Sequence, residues 1–226
     1  MSSDLILSIP VIVVTVILVG LIFWLSHKKK VEREQKIRTL ASQYGWTYEP
    51  VAERLVSGYR LRKSEWVLEA LNTTTSHSGD ATGSSDVTQM TRWWSAAAKM
   101  KEGIVLIGPR QSDINLSGIG DFLIQAALRL MIGSEADFAK DIKQIEMGKL
   151  SFNKRYMVWT NQEEAANRLL EMAVENALIN WPTKLPPIVK FSPVGMEVKL
   201  QTQRLDKPEE IVALVKLGET LLAAAT

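Results

Sequence analysis

The stretch from Leu5 to Leu25 contains no charged residue, and sixteen of its 21 positions are Leu, Ile, Val or Phe. As an α-helix it would be about 31 Å long, which matches the hydrocarbon core of a bilayer. It has no polar stripe of the kind that lets a helix sit on a soluble core. Ser8, Pro10, Thr15 and Gly20 interrupt it only weakly, because hydroxyls bond back to the helix and Pro10 falls in the first turns. Trp24 stands at the far end, where an indole prefers the headgroup boundary. The basic n-region and small-residue cleavage site of a secretory signal are missing. The sequence therefore predicts a retained single-pass transmembrane anchor over residues 1–27.

Charge reinforces that expectation. The chain of 226 residues has a formal net charge of +2 and no cysteine. Asp4 is the only charge before the apolar run, whereas Lys28 to Leu40 carry six basic residues against two acidic ones. Residues 41–226 are close to neutral, with 21 basic and 22 acidic side chains. The positive cuff predicts an amino terminus outside the cell membrane and a cytoplasmic body. Trp24, Lys28, Lys29 and Lys30 are the expected contacts with the membrane surface, since clustered lysines attract anionic lipid. Taken whole, a net charge of +2 argues against nucleic acid as a partner. The absence of cysteine excludes thiolate metal sites, thiol nucleophiles and disulfides.

From Lys28 to Gly45 the composition favours helix, with Gly45 placed to end it, so residues 28–45 are expected to form a basic juxtamembrane stalk. Residues 46–226 read as one cytoplasmic domain. Short alternating or apolar runs mark strands at Trp46–Tyr48 (stopped by Glu49-Pro50), Glu65–Leu71, Val87–Trp94, Ile104–Ile107, Tyr156–Trp159, Ile188–Phe191 and Met196–Leu200. Residues 72–86 hold only Asn, Thr, Ser, His, Gly, Asp and Ala, and are expected to form a mobile polar loop. Phe122 to Ile132 is apolar apart from Gln125 and Arg129, which suits either a buried helix or one lying on the membrane. One helix is expected behind Thr160 or Asn161 as cap, with apolar residues from Ala166 to Leu178. A second follows Asp206-Lys207-Pro208-Glu209. This order of elements predicts an α+β fold with a mainly antiparallel sheet and packed helices behind the single amino-terminal transmembrane helix and stalk.

Tyr44-Gly45-Trp46-Thr47-Tyr48-Glu49-Pro50, Leu55-Val56-Ser57-Gly58 and Leu150-Ser151-Phe152-Asn153-Lys154-Arg155-Tyr156-Met157-Val158-Trp159-Thr160 form a recognisable pattern. An Ala- and Leu-rich helix follows it, then a strand pair and a closing helix. The pattern resembles an uncharacterised family of bacterial membrane-anchored proteins, a domain of unknown function behind a basic stalk. The resemblance covers Ala41 to Leu222. It implies a membrane location and a single α+β domain, and it carries no catalytic residue.

Chemistry-bearing motifs are sparse. His27 and His77 are the only histidines and have no metal-ligand spacing, so no metal and no cofactor are expected. Gly118-Ile119-Gly120-Asp121 lacks the remaining residues of a phosphate-binding loop. Glu163-Glu164 and Glu209-Glu210 stand in first helical turns, where carboxylates complement the helix dipole. No catalytic constellation is visible, and an enzyme is not expected. Arg92, Trp93 and Trp94 form a candidate interaction surface, with the two indoles expected on opposite faces of a strand. The function expected is a non-catalytic, membrane-tethered interaction module or accessory subunit, with the lipid bilayer and a membrane protein or a second copy as partners. The alternatives are an enzyme acting on a lipid or envelope precursor at the cytoplasmic face, and a lipid-binding protein.

Overall fold

The computed structural model describes residues 3–76, 85–110, 141–183 and 185–225, with side chains described from residue 17 onward except at positions 76 and 85. Helix α1 runs without a break over Ser3–Gln43. It ends in a Schellman motif: Trp46 N–H donates to Ala41 O at 2.8 Å and Gly45 N–H to Ser42 O at 3.3 Å. Gly45 supplies the left-handed backbone this needs, at φ 67°. Nine strands follow, β1 (Thr47–Ala52), β2 (Val56–Lys63), β3 (Trp66–Ser76), β4 (Ser85–Ser95), β5 (Val105–Pro109), β6 (Lys143–Ile145), β7 (Tyr156–Thr160), β8 (Ile188–Ser192) and β9 (Gly195–Gln201). The described helices after α1 are α2 (Leu150–Asn153), α3 (Glu163–Leu169), α4 (Met172–Ile179) and α5 (Pro208–Ala225).

All nine strands form one sheet in the order β1-β2-β3-β4-β9-β8-β5-β7-β6, and every neighbouring pair is antiparallel. Successive side chains alternate between its faces. The inner face carries Leu61, Leu68, Trp93, Val198, Val189, Ile107 and Val158, all buried in one core. Helix α5 lies across β4 and β9 on this face and contacts α1, α3 and α4. Gly218 of α5 makes the close approach possible, because a Cβ there would meet the Trp93 indole at 2.3 Å.

The expected transmembrane helix is corrected. Among the described residues no helix is long and apolar enough to cross a membrane. The apolar run is not a segment of its own but the first part of a 41-residue helix. Nor is the stretch 28–45 a free-standing stalk. Ile37, Leu40 and Ala41, at helical spacing, are buried in the core against β1 and α5. An aromatic chain extends that lock inward: Tyr44 stacks on Trp46 at 4.8 Å, Trp46 meets Trp66 edge-on at 5.5 Å, and Trp66 meets Trp93 at 6.4 Å.

Three smaller expectations also change. Pro50 does not stop β1, because β1 is an edge strand and needs no outward N–H donor there. Part of the polar loop expected over 72–86 is strand, with residues 72–76 in β3 and 85–86 in β4. The β3–β4 ladder continues through Asn72↔Gln89, Thr73↔Thr88 and Ser76↔Ser85, since ladder hydrogen bonds satisfy the backbone without a core. The single helix expected behind Thr160 is two helices, with Leu170 leaving helical geometry at ψ 39°. Gln162, not Thr160 or Asn161, stands at its amino end and makes no side-chain cap. The expected helix at 122–132, the Gly118–Asp121 turn and His77 lie outside the described residues.

Candidate functional site

The first surface is the described part of α1. Ile17, Leu18, Leu21, Ile22, Phe23 and Leu25 are all exposed, and Trp24 is 59% exposed. Lys28, Lys29 and Lys30 follow, also exposed. The Lys28 ammonium sits 5.6 Å from the Trp24 ring centre, so apolar ring and cation form one continuous patch. Two turns further on, Arg38 stacks over Tyr48 at 5.1 Å, and Arg33 reaches Asp206 at 3.7 Å. Because the carboxy-terminal turns are fixed in the core, the apolar and basic turns project from a rigid base.

The second surface is the outer face of the sheet. Arg92, Trp93 and Trp94 do not form one patch. Trp93 is wholly buried under α5, and its indole N–H has no hydrogen-bond partner among the described residues. Arg92 and Trp94 face outward, with the guanidinium 5.8 Å from the ring centre. They belong to a row of charges crossing six strands. Glu49 pairs with Arg60 and Arg62, and Arg60 Nε donates to Glu69 at 2.7 Å. Arg92 Nε stands 2.8 Å from Glu197, an ion pair without hydrogen-bond alignment, and Lys190 Nζ reaches the other Glu197 oxygen at 2.9 Å. A shallow cavity of about 370 Å³ lies over Trp94. The charges around it neutralise one another, so it presents little net field to a ligand. Farther along the same face, Ile104, Leu106, Trp159 and Ile188 form a separate apolar cluster.

A third region was not legible in the sequence. A cleft of about 480 Å³ opens where the end of α5 meets α3 and the segment before β5. Its floor includes Met100, Leu169 and Phe191, which are buried, and its walls carry Lys99, Lys101 and Arg168. Among the described residues Glu102 is the only acidic side chain lining it, and its carboxylate accepts a long 3.5 Å bond from Gln162 Nε2. The residues come from several elements separated by more than a hundred positions, so no local spacing signals them.

The titration behaviour is structural. Burial pushes the Tyr59 hydroxyl far up, with Asp206 adding to the effect, while the hydroxyl donates to Leu205 O. Burial raises Tyr156 to about 12, and its hydroxyl donates to Leu178 O at 3.0 Å. Neither hydroxyl is lined up on a second acid or base. Glu163-Glu164 and Glu209-Glu210 occupy the first turns of α3 and α5, as expected of residues that complement the dipole. Among the described residues no group of three His, Asp or Glu side chains could hold a metal ion.

No family model matches the chain, and no curated protein matches it. Among solved structures it is similar to the mycobacterial trehalose monomycolate transport factor A, TtfA. The sequence identity is 11%, the TM-score is 0.46, and the match covers 86% of this chain and 96% of that one.

Proposed function

We propose that this chain is a non-catalytic interaction module that works at a lipid surface as an accessory subunit of a membrane protein assembly. The observation that supports the reading is the exposed apolar-then-basic stretch Ile17 to Lys30 on a helix whose other end is locked into the core. Apolar side chains enter the acyl boundary while Lys28, Lys29 and Lys30 meet anionic headgroups, each worth about 1 kcal/mol near the surface. Because Ile37, Leu40 and Ala41 fix the helix to the sheet, contact with lipid would also hold the sheet's outer face at a set distance from it.

Flotation of the full chain with phosphatidylglycerol vesicles tests this. The wild type is expected to float with them and to release as salt rises. The triple variant K28E/K29E/K30E is expected to bind at least tenfold less, as the loss of about three lysine contacts implies. Equal flotation of both proteins, or no flotation of the wild type, would overturn the reading. The accessory role is checked by native detergent extraction. Recovery of the lone chain at native abundance would count against it.

A further inference from the structure

The cleft at the end of α5 combines three properties that neither the α1 surface nor the outer sheet face has together. It is concave, its volume of about 480 Å³ falls among small-molecule sites, and its charges do not cancel. Lys99, Lys101 and Arg168 have no ion-pair partner among the described residues, in contrast to the outer sheet face, where Arg60, Arg92 and Lys190 all stand against carboxylates. Below the cations the floor is apolar. Leu169 and Phe191 are almost fully covered, and Ala165 and Ala224 add small side chains that leave room.

The carboxyl end of α5 reaches this cleft through Ala224 and Ala225, and such a helix end carries about half a negative charge. Three cations exceed that and Glu102 combined, so the mouth retains positive potential. An inorganic anion would satisfy the cations and leave the floor wet. A neutral apolar molecule would fill the floor and leave the cations without a counter-charge. We propose that the cleft binds an anionic amphiphile, a single carboxylate or phosphate head on an aliphatic chain, with Lys99, Lys101 and Arg168 at the head and the partly exposed Ala165, Ala224 and Ala225 along the chain. This site is independent of lipid contact through α1.

Fluorescence titration of the full chain with a dansyl-labelled undecanoate tests it, because the probe carries both halves of the ligand. The charge reversal K101E/R168E is expected to weaken binding about tenfold, while K154E, on an exposed lysine outside the cleft, leaves it within about twofold. A165W fills the floor and is expected to weaken binding without touching a cation. Its thermal midpoint and circular dichroism show whether it folds, and K101E/R168E carries the decision if it does not. Laurate should displace the probe, and methyl laurate, acetate and inorganic phosphate should not. If K101E/R168E and K154E behave alike, the probe sits on the apolar turns of α1 and the proposal fails. It also fails if phosphate competes as well as laurate, or if an acidic peptide competes and laurate does not. K28E/K29E/K30E should retain the titration and K101E/R168E should retain vesicle flotation, so this site and the α1 surface can fail separately.

Discussion

On β3, Trp66, Leu68 and Ala70 point toward the helices and are buried, while Val67, Glu69 and Leu71 alternate with them on the outer face. The same period holds on β4, where Thr91, Trp93 and Ser95 face inward and Arg92 and Trp94 outward. The two faces share a backbone and differ in what holds them. The inner face is sealed by apolar packing around Trp93 and Gly218. The outer half over β1 to β4, β9 and β8 is held by a row of ion pairs in or near solvent. Burying large apolar surface yields several kilocalories per side chain, and partly exposed ion pairs yield about one or less. The fold is therefore built mainly from the inner face, and the charged part of the outer face is free to vary in chemistry without loss of the sheet.

Four measurements would break or sharpen that contrast. Trp93→Ala should lower unfolding free energy by about 4 kcal/mol in denaturant titration, while Trp94→Ala one position along costs below about 1 kcal/mol. Equal losses would dissolve the distinction between the faces. Gly218→Ala should cost about 2 kcal/mol despite its better helix propensity, because the new methyl meets the Trp93 ring and neither side can move. A stabilised Gly218→Ala would show that α5 can slide away from β4.

Tyr156→Phe should cost about 1 kcal/mol near neutral pH through the lost bond to Leu178 O. Its pH dependence carries a sign. The folded-state pKa is raised from 10.0 to about 12, so the buried phenol contributes fully below pH 10 and loses its contribution as pH climbs toward 12. The variant should therefore lose stability less steeply over that window, and parallel curves would contradict the assignment. Smallest of all are the outer-face charges. Glu197→Gln leaves Arg92 and the 12% exposed Lys190 without their shared partner, and should cost about 1 kcal/mol. Glu49→Gln, at the exposed sheet edge, should cost a few tenths.

Local patterns made much of the sheet readable. Val87–Trp94, Tyr156–Trp159 and the pair at Ile188–Phe191 and Met196–Leu200 lie in strands, as does the apolar run Ile104–Ile107 from Val105 on, because alternating and short wholly apolar runs both mark strands in hydropathy. Gly45 ends α1 as expected, since only its left-handed backbone permits the Schellman closure. The break at Leu170 left no trace, for neither Gly nor Pro marks it and the apolar spacing runs straight through. The opposite placement of Trp93 and Trp94 was readable, and the choice of which one is buried was not.

Local sequence was enough for the alternation of the strands, the end of α1 at Gly45 and the apolar-to-basic step at Leu25 to Lys28, because each depends on residues within a few positions of one another. Only the tertiary structure decided that Ile37, Leu40 and Ala41 belong to the core and not to a stalk, since that depends on β1 and α5 meeting the helix. It alone brought Lys99, Lys101, Arg168 and Ala224 around one cleft. Such an arrangement exists only after the chain closes contacts across more than a hundred residues, and no short-range pattern records it.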